Sequence, residues 1–327
     1  MQCRWNTPRR LASQLGATHS PGHATHGSVA VSNINTLNIC VSHLPFPRRF
    51  DRYVDLMLTP ASVIGPSRVI QVKDDVYGVN GHALSEYAQL FWLHDHLESF
   101  TDGYEYIRLF QYRRFVSRVP LGDVSWNSFS TWISPSRLEK ASSEFDRFSA
   151  GELFNPAVIY QGGVPFQYAM SHVLEDLLNF TKYIIEQNIL THSEVVEFLT
   201  SDRLITACST GIYSVKHFRD TFAKLKKAAE FINSSYYIPR SGIQRRVGGF
   251  LLERLHSYLL LRYLQDERGI QKFGHYIMID DGRILTRVKR RIYGYAYWAA
   301  IKVGDMAQKH LAAVRIGNRV RGILTEI

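Results

Sequence analysis

Residues 104–115, Tyr-Glu-Tyr-Ile-Arg-Leu-Phe-Gln-Tyr-Arg-Arg-Phe, end a run of aromatic and branched side chains on two adjacent guanidinium groups, Arg113 and Arg114. Such a run reads as a buried strand. In open α/β sheets, ligands bind just beyond the carboxyl ends of the strands. A guanidinium fork matches phosphate oxygens, so the pair suits an anionic ligand of the diphosphate class. A strand that leaves the core through a solvated basic turn would use the same residues.

Other side chains with chemical potential are spread along the chain. His172 and Asp176 are four residues apart, which puts them on one helix face where the carboxylate would orient the imidazole. An ordinary surface pair has the same spacing. Glu86 opens an otherwise apolar helical stretch, where it either caps the helix dipole or meets a ligand. Asp74-Asp75 and Asp280-Asp281 are candidate ligand pairs for a divalent cation such as Mn2+ or Mg2+. Adjacent acids on a turn are usually just solvated, and Asp281-Gly282 already carries a hairpin signal between residues 276–280 and 283–286. Cys3, Cys40 and Cys208 have neither zinc-motif nor disulfide-framework spacing.

The elements that must position these groups read as an α/β pattern. Residues 37–42 form a short apolar strand, residues 67–72 a second, residues 84–97 an amphipathic helix, and residues 104–115 the strand described above. A long polar and aromatic insertion follows over residues 117–163, with regular structure expected only around 138–148; loops of that length usually act as lids or binding loops. Beyond it, helices are expected over 167–187, 192–199, 215–233 and 244–266, with a strand over 204–213.

Composition bounds the function. The 327 residues are 45% hydrophobic and 13% aromatic, enough for a large globular core. With 39 Lys and Arg against 29 Asp and Glu, the formal net charge is +10, which favours acidic partners. The cations are scattered and no nucleic-acid motif occurs, so no nucleic acid is expected, although RNA binding is the alternative that this composition allows. The most apolar stretch, residues 250–264, contains Glu253, Arg254, His256 and Arg262, so no segment approaches the roughly 20 apolar residues of a membrane span. The expectation is a cytoplasmic protein, soluble or peripherally bound. Residues 1–35 read as a flexible leader, 36–270 as the main domain and 271–327 as a basic aromatic extension. Within the extension, residues 287–302 either rest on an anionic membrane surface or pack on the domain with a solvated edge.

Several motifs in order resemble one family. Val41-Ser42-His43-Leu44-Pro45 is similar to its first strand end, Ser85-Glu86-Tyr87-Ala88-Gln89-Leu90-Phe91-Trp92 to its first helix, and residues 106–115 to its Tyr-Ile-Gly-Leu-x-His-Tyr-Arg-Arg-Tyr hallmark. His172 and Asp176 match a His-x-x-x-Asp pattern, and Arg246-Val247-Gly248-Gly249-Phe250-Leu251-Leu252-Glu253-Arg254-Leu255 matches a later block. The family is the glycosyltransferase-like domain of unknown function found in bacterial capsular and exopolysaccharide gene clusters, and the resemblance covers residues 36–266. It implies a GT-A-like open mixed sheet flanked by helices, with a helical C-terminal half. It also implies a nucleotide-sugar donor and a saccharide or lipid-linked saccharide acceptor in cell-surface polysaccharide assembly.

On this basis the expected donor-binding residues are Ser42, His43, Asn80, Tyr112, Arg113, Arg114 and Arg254, and the expected catalytic ones are His172, Asp176 and Glu86. Glu253 with Arg254 reads first as an ion pair tying helix to sheet. Many enzymes of this fold hold a metal with Asp-x-Asp; no such triplet occurs here, and arginines stand at the expected strand end. That substitution points to a reaction with no metal or with a loosely held one. Gln111 stands where the family has His, which keeps open a non-catalytic member that partners an active transferase.

Overall fold

A computed structural model describes residues 35–42, 54–60, 68–124, 130–140, 151–160, 162–266 and 272–279. The leader, His43, Asp280, Asp281, the second strand expected at 283–286 and the basic stretch 287–302 lie outside these described residues.

Strands β1 (Thr36–Val41), β2 (Leu56–Thr59) and β3 (Val69–Gln71) run parallel in the order β3-β2-β1. On its other edge β1 pairs in parallel with β4 (Tyr106–Gln111), from Thr36 opposite Tyr106 to Val41 opposite Gln111. The two strands therefore end level with each other. Both are largely buried, as parallel strands with covered faces must be. Two short 3-10 turns, Asp74–Tyr77 and Gly81–Leu84, lead into helix α1 (Tyr87–Asp95), and a one-turn helix α2 (Glu98–Thr101) precedes β4.

The run 104–115 is not one strand. It turns back at Tyr112-Arg113, and β5 (Arg114–Ser117) returns antiparallel with Arg114 opposite Gln111. At this point the chain reads Gln-Tyr-Arg-Arg and carries none of the Asn-Gly or Gly-rich signals that announce such a turn. Beyond β5 the sheet continues through β12 (His275–Ile279), β7 (Ser130–Ile133) and β6 (Asp123–Val124), while β11 (Gly211–Ser214) joins β4 to β8 (Leu153–Phe154). Residues of the expected C-terminal extension thus supply an interior strand, and a division at residue 270 cuts the sheet. The expected long insertion contributes three of these strands, a six-residue helix α3 (Pro135–Lys140) near the piece expected at 138–148, and β9 (Ala157–Ile159).

Helices α4 (Gly163–Ala169) and α5 (Leu174–Glu186) replace the single helix expected at 167–187, because Val173 is extended at φ −82°, ψ 113°. The strand expected at 204–213 is likewise two, β10 (Arg203–Ile205), paired with β9, and β11. They are separated by a turn in which Ala207 has φ 49°. Helices α6 (His192–Thr200), α7 (Val215–Ala229) and α8 (Val247–Asp266) follow the expected positions closely.

One face of the sheet packs Leu37, Ile39, Ile107 and Leu109 against Phe91, Phe222 and Leu251 of α1, α7 and α8. The other face buries Cys40, Met57, Phe110, Phe115 and Ile277 in a second core. Chain order, mixed sheet and flanking helices give the α/β architecture that the sequence predicts.

A glycine pair sets how α8 meets the loop before α1. A Cβ on Gly248 would lie 3.0 Å from the Ala83 carbonyl oxygen, and one on Gly249 would lie 2.9 Å from both Cβ and Oγ of Ser85. Ser85 has φ 55°, a strained conformation for a residue with a side chain. The close approach of α8 holds it there. Gly249→Ala is therefore expected to lower stability by about 1–3 kcal/mol through overpacking, read by urea denaturation. The same change displaces the neighbouring Glu86.

Candidate functional site

The level ends of β1 and β4 open on a polar cluster centred on Glu86 and Gln111. Gln111 Nε2 donates to Glu86 Oε1 at 3.1 Å and to Ser209 Oγ at 3.2 Å, and Ser209 Oγ stands 3.5 Å from the same carboxylate oxygen. Arg246, at the foot of α8, donates from Nε to Ser85 Oγ at 2.6 Å and brings Nη2 to 3.4 Å from Glu86 Oε2. Glu86 is thus held from three elements while its side chain keeps 26% of its exposure. It does not cap α1 with its side chain. Its carboxylate is engaged instead by Gln111, Ser209 and Arg246.

Tyr112, Arg113 and Arg114 border this cluster. The Arg113 guanidinium lies over the Tyr112 ring at 5.1 Å, and its buried Nε–H has no hydrogen-bond partner. Buried donors are normally satisfied, and Arg113 Nε is one of several buried side-chain atoms without a partner among the described residues. Burial opposes the charge on Arg114, but Tyr276, Glu253, Glu86 and Tyr112 outweigh it and hold its pKa above the ordinary guanidinium value. Those neighbours come from the start of α1, from α8, from the β4–β5 turn and from β12, so four elements meet around Arg114.

Beneath the cluster a buried network fixes the 206–210 turn that carries Ser209. Asn155, fully buried, donates to the Ala207 carbonyl at 3.0 Å and to Thr210 Oγ1 at 2.7 Å. Tyr213 donates its hydroxyl hydrogen to the Cys208 carbonyl, which leaves the Tyr213 hydroxyl oxygen to accept from His256 Nε2 at 3.2 Å. His256 Nδ1 then accepts from Tyr87 at 3.2 Å, so the ring is neutral with its proton on Nε2. Burial, helped by nearby His217, pushes the His256 pKa from the ordinary 6.5 down to about 3.

The unfolded chain therefore binds the proton near pH 6.5 while the folded one resists until about pH 3. Stability is complete above that window and falls as the pH drops through it, by up to about 1.4 kcal/mol per pH unit. The urea midpoint is expected to fall from pH 6.5 to 5, and His256→Gln is expected to flatten that slope. An unchanged slope in the variant contradicts the assignment.

The other expected site residues divide into near and far. Arg254 is buried, with Nε donating to Gln167 at 3.1 Å and Nη1 to the Phe250 carbonyl at 3.1 Å and to Glu253 at 2.9 Å. Its pair with Glu253 joins neighbours on one helix and orients that carboxylate; it does not tie α8 to the sheet. His172 sits at the rim, stacked on Phe250 at 4.0 Å and bonded through Nδ1 to Gln244 at 3.2 Å. Burial and the Arg254 charge lower its pKa, which keeps it neutral.

Asp176 does not pair with His172, because His172 precedes the break at Val173 and only Asp176 lies in α5. Instead Arg240 grips Asp176 at 2.8 and 3.1 Å, and the expected His-Asp dyad is not formed. Burial raises the Asp176 pKa in spite of that pairing. Asn80 is spent on the Ile232 carbonyl at 2.9 Å, where it ties the loop before α1 to the end of α7. Ser42 is buried just past β1, with its amide bonded to the Leu58 carbonyl at 3.0 Å. Asp75 is exposed on a single 3-10 turn with Asp74. Among the described residues no group of three or more His, Cys, Asp or Glu side chains is placed to hold a metal ion.

Sequence reasoning did not single out Ser85, Ser209, Arg246 or Tyr276. Ser85 and Arg246 fall in the quoted motifs, and Ser209 lies in the strand expected at 204–213. Tyr276 had no such signal, since only strand pairing brings it here.

No protein-family model matches this chain, and no curated protein matches it. Among solved structures it is similar to the apo structure of the bifunctional glycosyltransferase WbbM, with a TM-score of 0.58 and 15% sequence identity. The alignment covers 76% of this chain and 46% of WbbM, so the chain spans less than half of that protein. At this identity the likeness shows the fold alone, an open mixed sheet flanked by helices. Among the described residues no helix is long and apolar enough to cross a membrane.

Proposed function

We propose that the protein transfers a sugar from a nucleotide-diphosphate donor to a saccharide acceptor. The observation that carries this reading is the arginine turn between β4 and β5, with the orphaned Nε–H of Arg113 beside the half-buried Arg114 at the carboxyl end of the parallel strands. Arg113 and Arg114 neutralise the charge that develops on the leaving diphosphate. The acceptor oxygen attacks the anomeric carbon and the bond from that carbon to the diphosphate oxygen breaks. The electron pair leaves with the diphosphate, and the acceptor proton passes to Glu86.

The glycosyltransferase-like fold and the ordered motifs support the reading. The motifs further favour cell-surface polysaccharide as product, a lipid-linked acceptor, and a location on the cytoplasmic face of the membrane. Melting curves recorded with UDP, GDP and a short RNA test the proposal, because a ligand that binds only the native state raises the melting temperature. A shift with a nucleoside diphosphate and none with RNA is expected; the reverse pattern overturns the transferase reading. Mn2+ or Mg2+ followed by EDTA leaves the shift in place if the arginines carry the diphosphate, whereas a strict metal requirement contradicts that role.

A further inference from the structure

We infer that the polar rim built on Arg254 is the acceptor subsite, where Gln167, Glu253 and His172 read the hydroxyl groups of a neutral saccharide. This deepens the transferase reading just given and rests on it.

Arg254 is a buried hub around which three half-buried side chains are arranged. Its Nε–H is accepted by Gln167 Oε1 at 3.1 Å, so the amide nitrogen of Gln167 remains as a donor. Its Nη1 donates to Glu253 Oε2 at 2.9 Å, which leaves Oε1 as an acceptor on a side chain that is 34% exposed. His172 follows through Tyr168, whose ring lies 5.5 Å from the Arg254 guanidinium and 4.8 Å from the imidazole. Gln244 Nε2 donates to the Ser171 carbonyl at 2.8 Å, and its Oε1 is the atom that meets His172 Nδ1. Burial and the Arg254 charge keep the imidazole neutral, so its one proton sits on Nδ1 and Nε2 is a bare acceptor.

Gln167 Nε2, Glu253 Oε1 and His172 Nε2 bond to nothing among the described residues, and none of the three is a buried atom. Each is therefore open to solvent. One donor and two acceptors around a single guanidinium suit sugar hydroxyl groups, which both donate and accept.

Charge and position assign this rim to the acceptor. The Arg254 charge is already matched by Glu253, so it is not spare for a phosphate, and neutral hydroxyl groups fit better. The rim also reaches the reacting groups. Cys208 Sγ donates to the Glu253 carbonyl at 3.3 Å, and the next residue, Ser209, stands 3.5 Å from the Glu86 carboxylate. Beside His172, Ser171 and Met170 are exposed, Met170 at 51%. A saccharide seated here can continue into solvent, as a growing chain must, whereas the donor sugar is tied to the diphosphate at Arg113 and Arg114.

Saturation-transfer NMR with maltose, cellobiose, lactose and mannobiose tests the subsite, with melting shifts from UDP, GDP, UDP-glucose and GDP-mannose recorded on the same samples. The wild type is expected to bind at least one disaccharide, with or without nucleotide present. His172→Phe keeps a ring on Phe250 but has no Nε2, and Gln167→Met keeps the length but has no amide. Each is expected to weaken the disaccharide about three- to tenfold, the loss of one hydrogen bond. The nucleoside diphosphate shift persists in both variants and shows that they fold. A disaccharide signal absent from the wild type, displaced by the nucleoside diphosphate, or unchanged in both variants overturns the subsite. Variants that lose only the extra shift of a nucleotide sugar over its diphosphate assign the rim to the donor sugar and also overturn it. If the wild type shows no nucleotide shift yet binds a disaccharide that both variants weaken, the donor reading falls and the saccharide subsite stands.

Discussion

Glu86→Gln is expected to lower the turnover number by roughly 10²–10⁴-fold while leaving donor affinity unchanged or slightly tighter. The glutamine preserves volume and can still accept from Gln111 and Ser209 through its carbonyl oxygen. What it removes is the basic carboxylate that takes the acceptor's proton. The sign on donor binding follows from charge: Glu86 faces Arg114, so neutralising it leaves more positive potential for a diphosphate. Glu253 also faces Arg114 but pairs with Arg254 at 2.9 Å, and Glu253→Gln is expected to cost less turnover. Initial-rate measurements on both variants check the order, and a larger loss at Glu253 transfers the role of base to that residue.

Replacing Arg113 or Arg114 with Ala is expected to weaken nucleotide-diphosphate binding by roughly 10- to 150-fold each, the range for losing hydrogen bonds to a charged group. The double variant loses the nucleotide-induced melting shift altogether. Both side chains stand on a half-buried turn and fill no core, so the unliganded melting temperature stays close to wild type. Arg114→Lys keeps the charge but not the planar fork and falls between wild type and Arg114→Ala. Isothermal titration with the nucleotide that shifts melting reads these affinities, and unchanged affinity in both alanine variants returns the turn to a solvated role.

Much of this site was legible because its residues lie in local patterns. The apolar run of β1, the helix after Glu86 and the arginine pair each announce themselves within a dozen residues. The hairpin at Tyr112-Arg113 did not, since its turn residues have no special backbone preference. Strand β2 was missed because Leu56–Thr59 is four residues with no alternation to read.

The His172–Asp176 spacing misled because helical periodicity continues across Val173, while the backbone there is extended and Arg240, remote in sequence, claims the carboxylate. Tyr276 reaches Arg114 only because β12 pairs with β5, a pairing between distant strands that no local pattern encodes. The Gly248-Gly249 pair was visible as a motif, but its use, seating α8 on the strained Ser85, depends on a contact across the fold.

The most direct test is a crystal structure with the nucleoside diphosphate that raises the melting temperature. Its phosphates are expected at the β4–β5 turn, within hydrogen-bonding distance of Arg113 and Arg114, with a phosphate oxygen accepting from the Nε–H of Arg113. Phosphates bound elsewhere, with both guanidinium groups turned to solvent or paired with Glu86 and Glu253, contradict it.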